Sequence, residues 1–153
     1  MANFRTNTWD PTLIVGQILA MQSIFYFSES VFMLAVGTFS SYRPSVDHVF
    51  VATTIRPMTI VQLLAAVVCA YALTFVVQRA KQCLDFATTL HIGHAIIVTI
   101  YNGFIPTSFT WWLLQVVSAA VMTVAGEYLC MQLETLEIPL STAPLQRTES
   151  SEV

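Results

Sequence analysis

The chain has 153 residues, 56% of them hydrophobic and 10% charged, with a net charge of −3. A soluble domain carries about 25% charged residues, so this composition excludes an ordinary water-soluble domain and fits a chain embedded in a membrane. The Lys and Arg residues number six and are scattered, which leaves no basic patch and excludes nucleic acid as a partner.

A helix needs about 20 apolar residues to cross a bilayer, and four runs meet that length. The first spans 13–39 and is interrupted by Glu29, read as the lumenal edge of a span that continues obliquely. It lacks a small-residue cleavage site and reads as an uncleaved anchor. The loop at 40–56 predicts a short interfacial helix capped by Ser45, with Val46, Val49 and Phe50 as its apolar face. No Asn-x-Ser/Thr site occurs anywhere.

The second span covers 57–78. A short charged island follows, Gln78-Arg79-Ala80-Lys81-Gln82-Cys83-Leu84-Asp85-Phe86, which reads as a tight turn between two spans. From Phe86 to Gly126 there is no Asp, Glu, Lys or Arg. That run is too long for one helix, and Asn102-Gly103-Phe104-Ile105-Pro106 breaks it, because Gly and Pro punctuate helices. The third span is then 86–104 and the fourth 109–131. The runs are continuously apolar rather than alternating, which predicts helices and not barrel strands. The expected fold is therefore an all-α membrane protein: a four-helix transmembrane domain over 1–131 and a disordered tail over 132–153, rich in Glu, Ser, Thr and Pro. The last three residues, Ser151-Glu152-Val153, fit the simplest PDZ-ligand pattern.

Orientation follows from the basic residues. Arg5, Arg79, Lys81 and Arg147 fall on one side and Arg43 and Arg56 on the other, which places both termini and the island in the cytosol. Trp111-Trp112 then opens the fourth span at the lumenal interface, as aromatic belts do. Cys83 and Cys130 fall near the cytosolic face, where thiols stay reduced. They read either as small hydrophobic residues or as sites of acylation.

Polar residues within the spans are costly and tend to find partners. Gln17, Asp85, His91 and Glu127 are expected in the cytosolic half of the bundle. His91 and His94 are three apart and share one helix face. They read as a metal site, a haem pair or a proton relay, or else as donors to neighbouring helices. Zinc needs three or four ligands, and the spacing of Asp85, Glu127 and Cys130 about the pair matches no known site, so no metal or cofactor is expected. Asp85 reads as the N-cap of the third span and Glu127 as an interfacial carboxylate. No phosphate loop, Gly-x-Ser-x-Gly or His-Glu-x-x-His occurs, so the chain is not expected to be an enzyme. A small transporter or redox membrane protein using His91 and His94 is the rival class.

Several motifs in order along the chain resemble the Sys family of Golgi integral membrane proteins. They are Trp9-Asp10-Pro11, Lys81-Gln82-Cys83-Leu84-Asp85-Phe86, the His91 and His94 pair, Thr110-Trp111-Trp112, Gly126-Glu127-Tyr128-Leu129-Cys130-Met131, and Glu137-Ile138-Pro139-Leu140 with Ala143-Pro144. The lumenal loop, the far tail and the charged Glu29 depart from that pattern. The resemblance implies a multi-pass, non-enzymatic protein of the trans-Golgi network. It implies a receptor for an Arf-related small GTPase with an acetylated N-terminus, through which an Arf-like GTPase and a GRIP-domain golgin are recruited in vesicle-mediated protein transport. The residues expected at that partner's docking site are Trp9, Asp10, Arg79, Lys81, Asp85, His91, His94, Glu127 and Tyr128.

Overall fold

A computed structural model describes residues 10–39, 43, 45–50 and 56–137. Among these the chain is all helical: α1 (Pro11–Phe39), a 3₁₀ turn (Val46–Val49), α2 (Arg56–Val76), a second 3₁₀ turn (Ala80–Gln82), α3 (Cys83–Asn102) and α4 (Phe109–Glu137). All four α-helices are long and apolar enough to cross a membrane, so the protein is a multi-pass, all-α membrane protein. Successive spans reverse direction. The start of α1, the 80–82 turn and the end of α4 therefore share one end of the bundle, called here the turn end. Residues 45–50 and 103–108 share the other, the loop end.

Local chemistry sets the helix boundaries. Asp10 caps α1, its Oδ1 accepting the Thr12 and Leu13 amides at 3.0 and 3.4 Å. Pro11 follows at the first helical position, where its missing N–H costs nothing. At the end of α2, Val77 and Gln78 both donate their amides to the Leu73 carbonyl. Gln78 closes that helix in the left-handed region with φ 59°, a conformation a non-glycine residue adopts at a cost of about 1–2 kcal/mol. Gly103 ends α3 in the same way at φ 74° without that cost.

Two boundaries differ from the sequence expectation. α3 begins at Cys83 with Gln82 before it, so Asp85 lies inside the first turn with an exposed side chain rather than at the N-cap. The 3₁₀ turn at Ala80–Gln82 winds the chain into helix earlier than the apolar run suggests. α4 continues to Glu137, so residues 132–137 are helical and not part of a tail. The reason is a tertiary contact: the Glu134 carboxylate accepts the Ala80 amide at 3.1 Å, holding the extension of α4 on the turn. Residues 138–153, including Ser151-Glu152-Val153, and the N-terminal Trp9 lie outside the described residues.

The bundle is organised around α2, which packs most extensively on α1 and α4. Ala65, Ala66, Cys69 and Ala70 of α2 are fully buried, and such small residues let backbones approach closely in a membrane. Gly126 of α4 sits against them. A Cβ there would fall 2.7 Å from Leu73 Cδ1 and 3.6 Å from Cys83 Sγ. The outer surface carries large apolar side chains such as Leu19, Phe27, Phe75, Ile100 and Val124, the surface a lipid environment requires. Several serine and threonine hydroxyls within the spans return to their own helices. Ser23 donates to the Leu19 carbonyl, Ser28 to Ile24 and Thr99 to Ala95.

At the loop end, the expected interfacial helix is the 3₁₀ turn that Ser45 precedes. Val49 packs with Met33 and Met58, and Phe50 packs on Tyr26 and Tyr101. Asn102 Nδ2 ties the segment to α3 by donating to the Phe50 carbonyl at 2.6 Å. The Tyr101 hydroxyl donates to Asp47 Oδ1. Val46, the third residue of the expected apolar face, has a side chain outside those described.

Gly126→Val is expected to destabilise the bundle by about 1–3 kcal/mol through overpacking. Gly16→Ala, where a Cβ meets nothing within 4 Å, is expected to leave stability unchanged or slightly raised; thermal unfolding of the purified protein in detergent compares the two. A second expectation concerns Asp47. The hydrogen bond from Tyr101, then that from Ser45, holds its carboxyl below the usual range. Its folded pKa lies below the unfolded one, so the tie is fully present at neutral pH and is lost only as pH falls through the depressed value. NMR titration of the Asp47 carboxyl is expected to show a midpoint below the ordinary value of about 3.9, moving upward in Tyr101→Phe.

Candidate functional site

The polar side chains of the spans separate into two groups. The first is buried and draws on all four helices. Gln115 of α4 is its centre: Oε1 accepts from Gln62 Nε2 of α2 at 3.0 Å and from His91 Nδ1 of α3 at 2.8 Å. Because an amide oxygen can only accept, His91 must carry its proton on Nδ1. One turn further along α3, His94 Nδ1 pairs with the Tyr26 hydroxyl of α1 at 3.2 Å. The His94 ring stacks on Trp111 and meets Phe25 edge-on. Glu29, also on α1, is 2% exposed, and its Oε2 has no hydrogen-bond partner.

This arrangement corrects two sequence expectations. Glu29 is not a span edge but an interior residue of a helix that continues to Phe39. Trp111 is 3% exposed and belongs to the core. Trp112 alone of the pair stays partly exposed, its Nε1 donating to the Pro106 carbonyl at 2.8 Å. His91 keeps the depth expected of it and lies deeper than Asp85, which is in the first turn of α3. His91 lies about 12 Å along α3 from Cys83, and its partner Gln115 about 9 Å along α4 from the loop end. The histidine pair is therefore engaged with neighbouring helices at mid-depth. Among the described residues no three His, Cys, Asp or Glu side chains lie close enough to hold a metal.

The second group gathers at the turn end. Arg79 and Lys81 are exposed at the 80–82 turn, Asp85 in the first turn of α3 and Asp10 at the start of α1. Glu127, half-buried, and the exposed Tyr128 lie toward the same end of α4. Beside them is a hollow of about 450 Å³ between α1 and α2, lined by Asp10, Leu13, Gly16, Gln17, Ala20 and Val76. The Gln17 amide donates to the Val76 carbonyl at 2.7 Å, fixing α1 against the end of α2. Cys83 and Cys130, the candidates for acylation, meet inside the bundle with their sulfurs 3.7 Å apart. Both are buried, which shields the thiols from modification in this arrangement.

A larger groove of about 880 Å³ runs along the outer face between α3 and α4, from Leu84 near the turn end to Ile105 at the loop end. Most of its wall is apolar, but His91, Gln115 and Thr123 line it as well.

A family model described as "Integral membrane protein S linking to the trans Golgi network" matches residues 4–140. The chain belongs to this SYS1 family. It is 44% identical over 147 residues to a protein of Nematostella vectensis named Protein SYS1 homolog, covering 92% of this chain and 93% of that one. A Dictyostelium discoideum protein of the same name is 33% identical across 90% of this chain. Protein SYS1 of Saccharomyces cerevisiae is 26% identical across 82%. The match spans 62% and 65% of the length of these last two. No solved structure matches the chain.

Gln62, Gln115, Tyr26 and Glu134 were not among the residues singled out from the sequence. Each acts through a partner on another helix, so no local pattern marks it. The only signal for the two glutamines was their place inside apolar runs, where a polar group needs a partner. A double-mutant cycle on Gln62→Leu and Gln115→Leu is expected to give a coupling energy of about 0.6–1.7 kcal/mol, the range for hydrogen bonds between membrane helices. Gln115→Leu should be the more damaging single change, because it strands both Gln62 and His91; unfolding in mixed detergent micelles measures each.

Proposed function

We propose that the protein is a Golgi membrane receptor that recruits an Arf-related small GTPase with an acetylated N-terminus. Through that GTPase it recruits an Arf-like GTPase and a GRIP-domain golgin, in vesicle-mediated protein transport at the trans-Golgi network. Membership of a family described as linking to the trans-Golgi network supports the cellular setting. The excess of Arg and Lys on the turn-end side supports a cytosolic orientation for that end. The protein acts by docking, not by catalysis.

The observation that carries this reading is the composition of the turn end. The hollow between α1 and α2 lies at the same end as the charged side chains of Asp10, Arg79, Lys81 and Asp85. An acetylated N-terminus has lost its ammonium charge, so an apolar helix bearing it enters such a hollow without burying an unpaired ion. Gly16 leaves the floor open, since nothing lies within 4 Å of where its Cβ would be. Arg79 and Lys81 face the GTPase body or anionic lipid, and Asp85 and Glu127 supply polar contacts beside them. In this proposal His91 and His94 support the fold at mid-depth and do not touch the GTPase.

Gly16→Leu fills the hollow from an exposed helix face and leaves the core untouched. It is expected to cut recruitment of the acetylated GTPase to proteoliposomes by about tenfold, equivalent to about 1.4 kcal/mol. Asp85→Asn and Glu127→Gln are expected to weaken it as well. Normal recruitment by all three variants, each folded and correctly localised in cells, would refute the docking site.

A further inference from the structure

The groove between α3 and α4 is apolar along its length and charged at one mouth. Leu84, Ile92, Ile96, Val116, Ala120 and Val124 form much of its wall. His91, Gln115 and Thr123 line it too, but each is more than nine-tenths buried. His91 Nε2, Gln115 Nε2 and Thr123 Oγ1 are sealed beneath its surface. Thr99 returns its hydroxyl to the Ala95 carbonyl. An occupant at mid-depth therefore meets apolar atoms and matches them with hydrocarbon. From Leu84 to Ile100 the groove follows α3 for about 24 Å, most of the depth of a bilayer core.

The charged mouth is at the turn end. Lys81 stands three residues before Leu84 and Asp85 three before Thr88, so both continue the row of α3 that lines the groove. Glu127 lies three residues beyond Val124 and continues the facing row of α4. Lys81 and Asp85 are exposed and Glu127 is half-buried. The helices converge here, with the Cys83 and Cys130 sulfurs 3.7 Å apart and Glu134 on the Ala80 amide. Asp85, Glu127 and Glu134 outnumber Arg79 and Lys81, so the mouth carries a net negative charge among the described residues.

This charge pattern selects among hydrocarbon-bearing occupants. A second copy of the chain, docked groove to groove about a two-fold axis along the membrane normal, sets the same carboxylates against each other. A phospholipid with a net negative headgroup meets the same repulsion. A zwitterionic phospholipid finds a cation for its phosphate and carboxylates for its ammonium. A primary ammonium has three N–H donors to share between Asp85 and Glu127, whereas a quaternary ammonium has none.

We propose that the turn-end half of the α3–α4 groove is a binding site for one zwitterionic aminophospholipid, phosphatidylethanolamine, drawn from the adjoining leaflet. Its phosphate pairs with Lys81 and its ammonium donates to Asp85 and Glu127. One acyl chain lies between Leu84, Thr88 and Ile92 of α3 and Ala120 and Val124 of α4. The site borders the surface proposed for the GTPase but does not rest on that reading.

The test uses the full-length protein, delipidated in detergent and titrated with dioleoyl phospholipids bearing ethanolamine, choline or serine headgroups, with native mass spectrometry counting the lipids bound. The first ethanolamine lipid is expected to bind about two- to tenfold more tightly than the first choline lipid, the range for one net hydrogen bond. The serine lipid, with its net negative charge, is expected to bind more weakly than the ethanolamine lipid. The double variant Asp85→Ala, Glu127→Ala is expected to erase both preferences. Ala120→Phe fills the groove from an exposed position and is expected to abolish the selective site; it leaves every headgroup contact in place and serves where the double variant fails to fold. Equal binding of the three lipids, a preference for choline or serine, or an unchanged preference in Ala120→Phe overturns the proposal. So does efficient cross-linking of Val116→Cys in the groove to a second copy of the chain, because the occupant is then the protein itself. No GTPase is present, so failure here leaves the recruitment reading untouched, and failure of recruitment leaves this one untouched.

Discussion

A side-chain amide inside a bilayer has no water to fall back on, and the bundle meets that constraint by making Gln115 a shared acceptor. One oxygen accepts hydrogen bonds from Gln62 of α2 and His91 of α3, so a single residue of α4 joins three helices. The His94–Tyr26 contact adds the fourth. Apolar packing alone specifies helix register poorly in a membrane, because lipid tails compete equally well for apolar side chains. Hydrogen bonds between helices do specify it, since a slip by one residue turns a donor away from its acceptor and leaves both unpaired. The polar core therefore sets which faces meet. The small residues of α2 and Gly126 of α4 set how closely they meet.

These two devices depend on each other. Ala65, Ala66, Cys69 and Ala70 bring α2 against its neighbours, and without that approach Gln62 would not reach Gln115. The close contact also has a limit. Where α4 touches Leu73, a methyl group at Gly126 would force the Leu73 side chain to shift. Between α3 and α4 the packing is less extensive than between α2 and α4, and the outer groove is the result. The bundle is consequently tight on the α2 side and open on the α3–α4 side.

The spans were legible because length and continuous apolarity are properties of a single segment. The breaks at Asn102-Gly103 and at the charged island were legible for the same reason: local turn chemistry fixed them. The Asp10 cap on α1 is seen only in the structure; in the sequence Asp10 stands out only as part of the Trp9-Asp10-Pro11 motif. Partners between helices were less legible. Counting from the island gives the depth of His91, but not that its partner is Gln115 of α4, which only the packed bundle shows. A carboxylate inside a span is costly, so the sequence points to an edge for Glu29, and the fold buries it nonetheless. The helical extension to Glu137 depends on Glu134 reaching Ala80, a contact far apart in sequence that no composition argument could find.

The same contacts explain why the groove stays open instead of closing on itself. At the turn end, α3 and α4 are pinned by Cys83 against Cys130 and by Glu134 on the 80–82 turn. At the loop end, Gly103 to Ser108 joins them, and Trp112 is fixed to the Pro106 carbonyl. Between these points the His91–Gln115 bond bridges the two helices beneath the groove floor. It ties them without drawing their outer faces together. Closing the groove further would require α4 to move away from α2, breaking the Gln62–Gln115 bond and the packing around Gly126. The interactions that hold the bundle together are thus the ones that keep this surface concave.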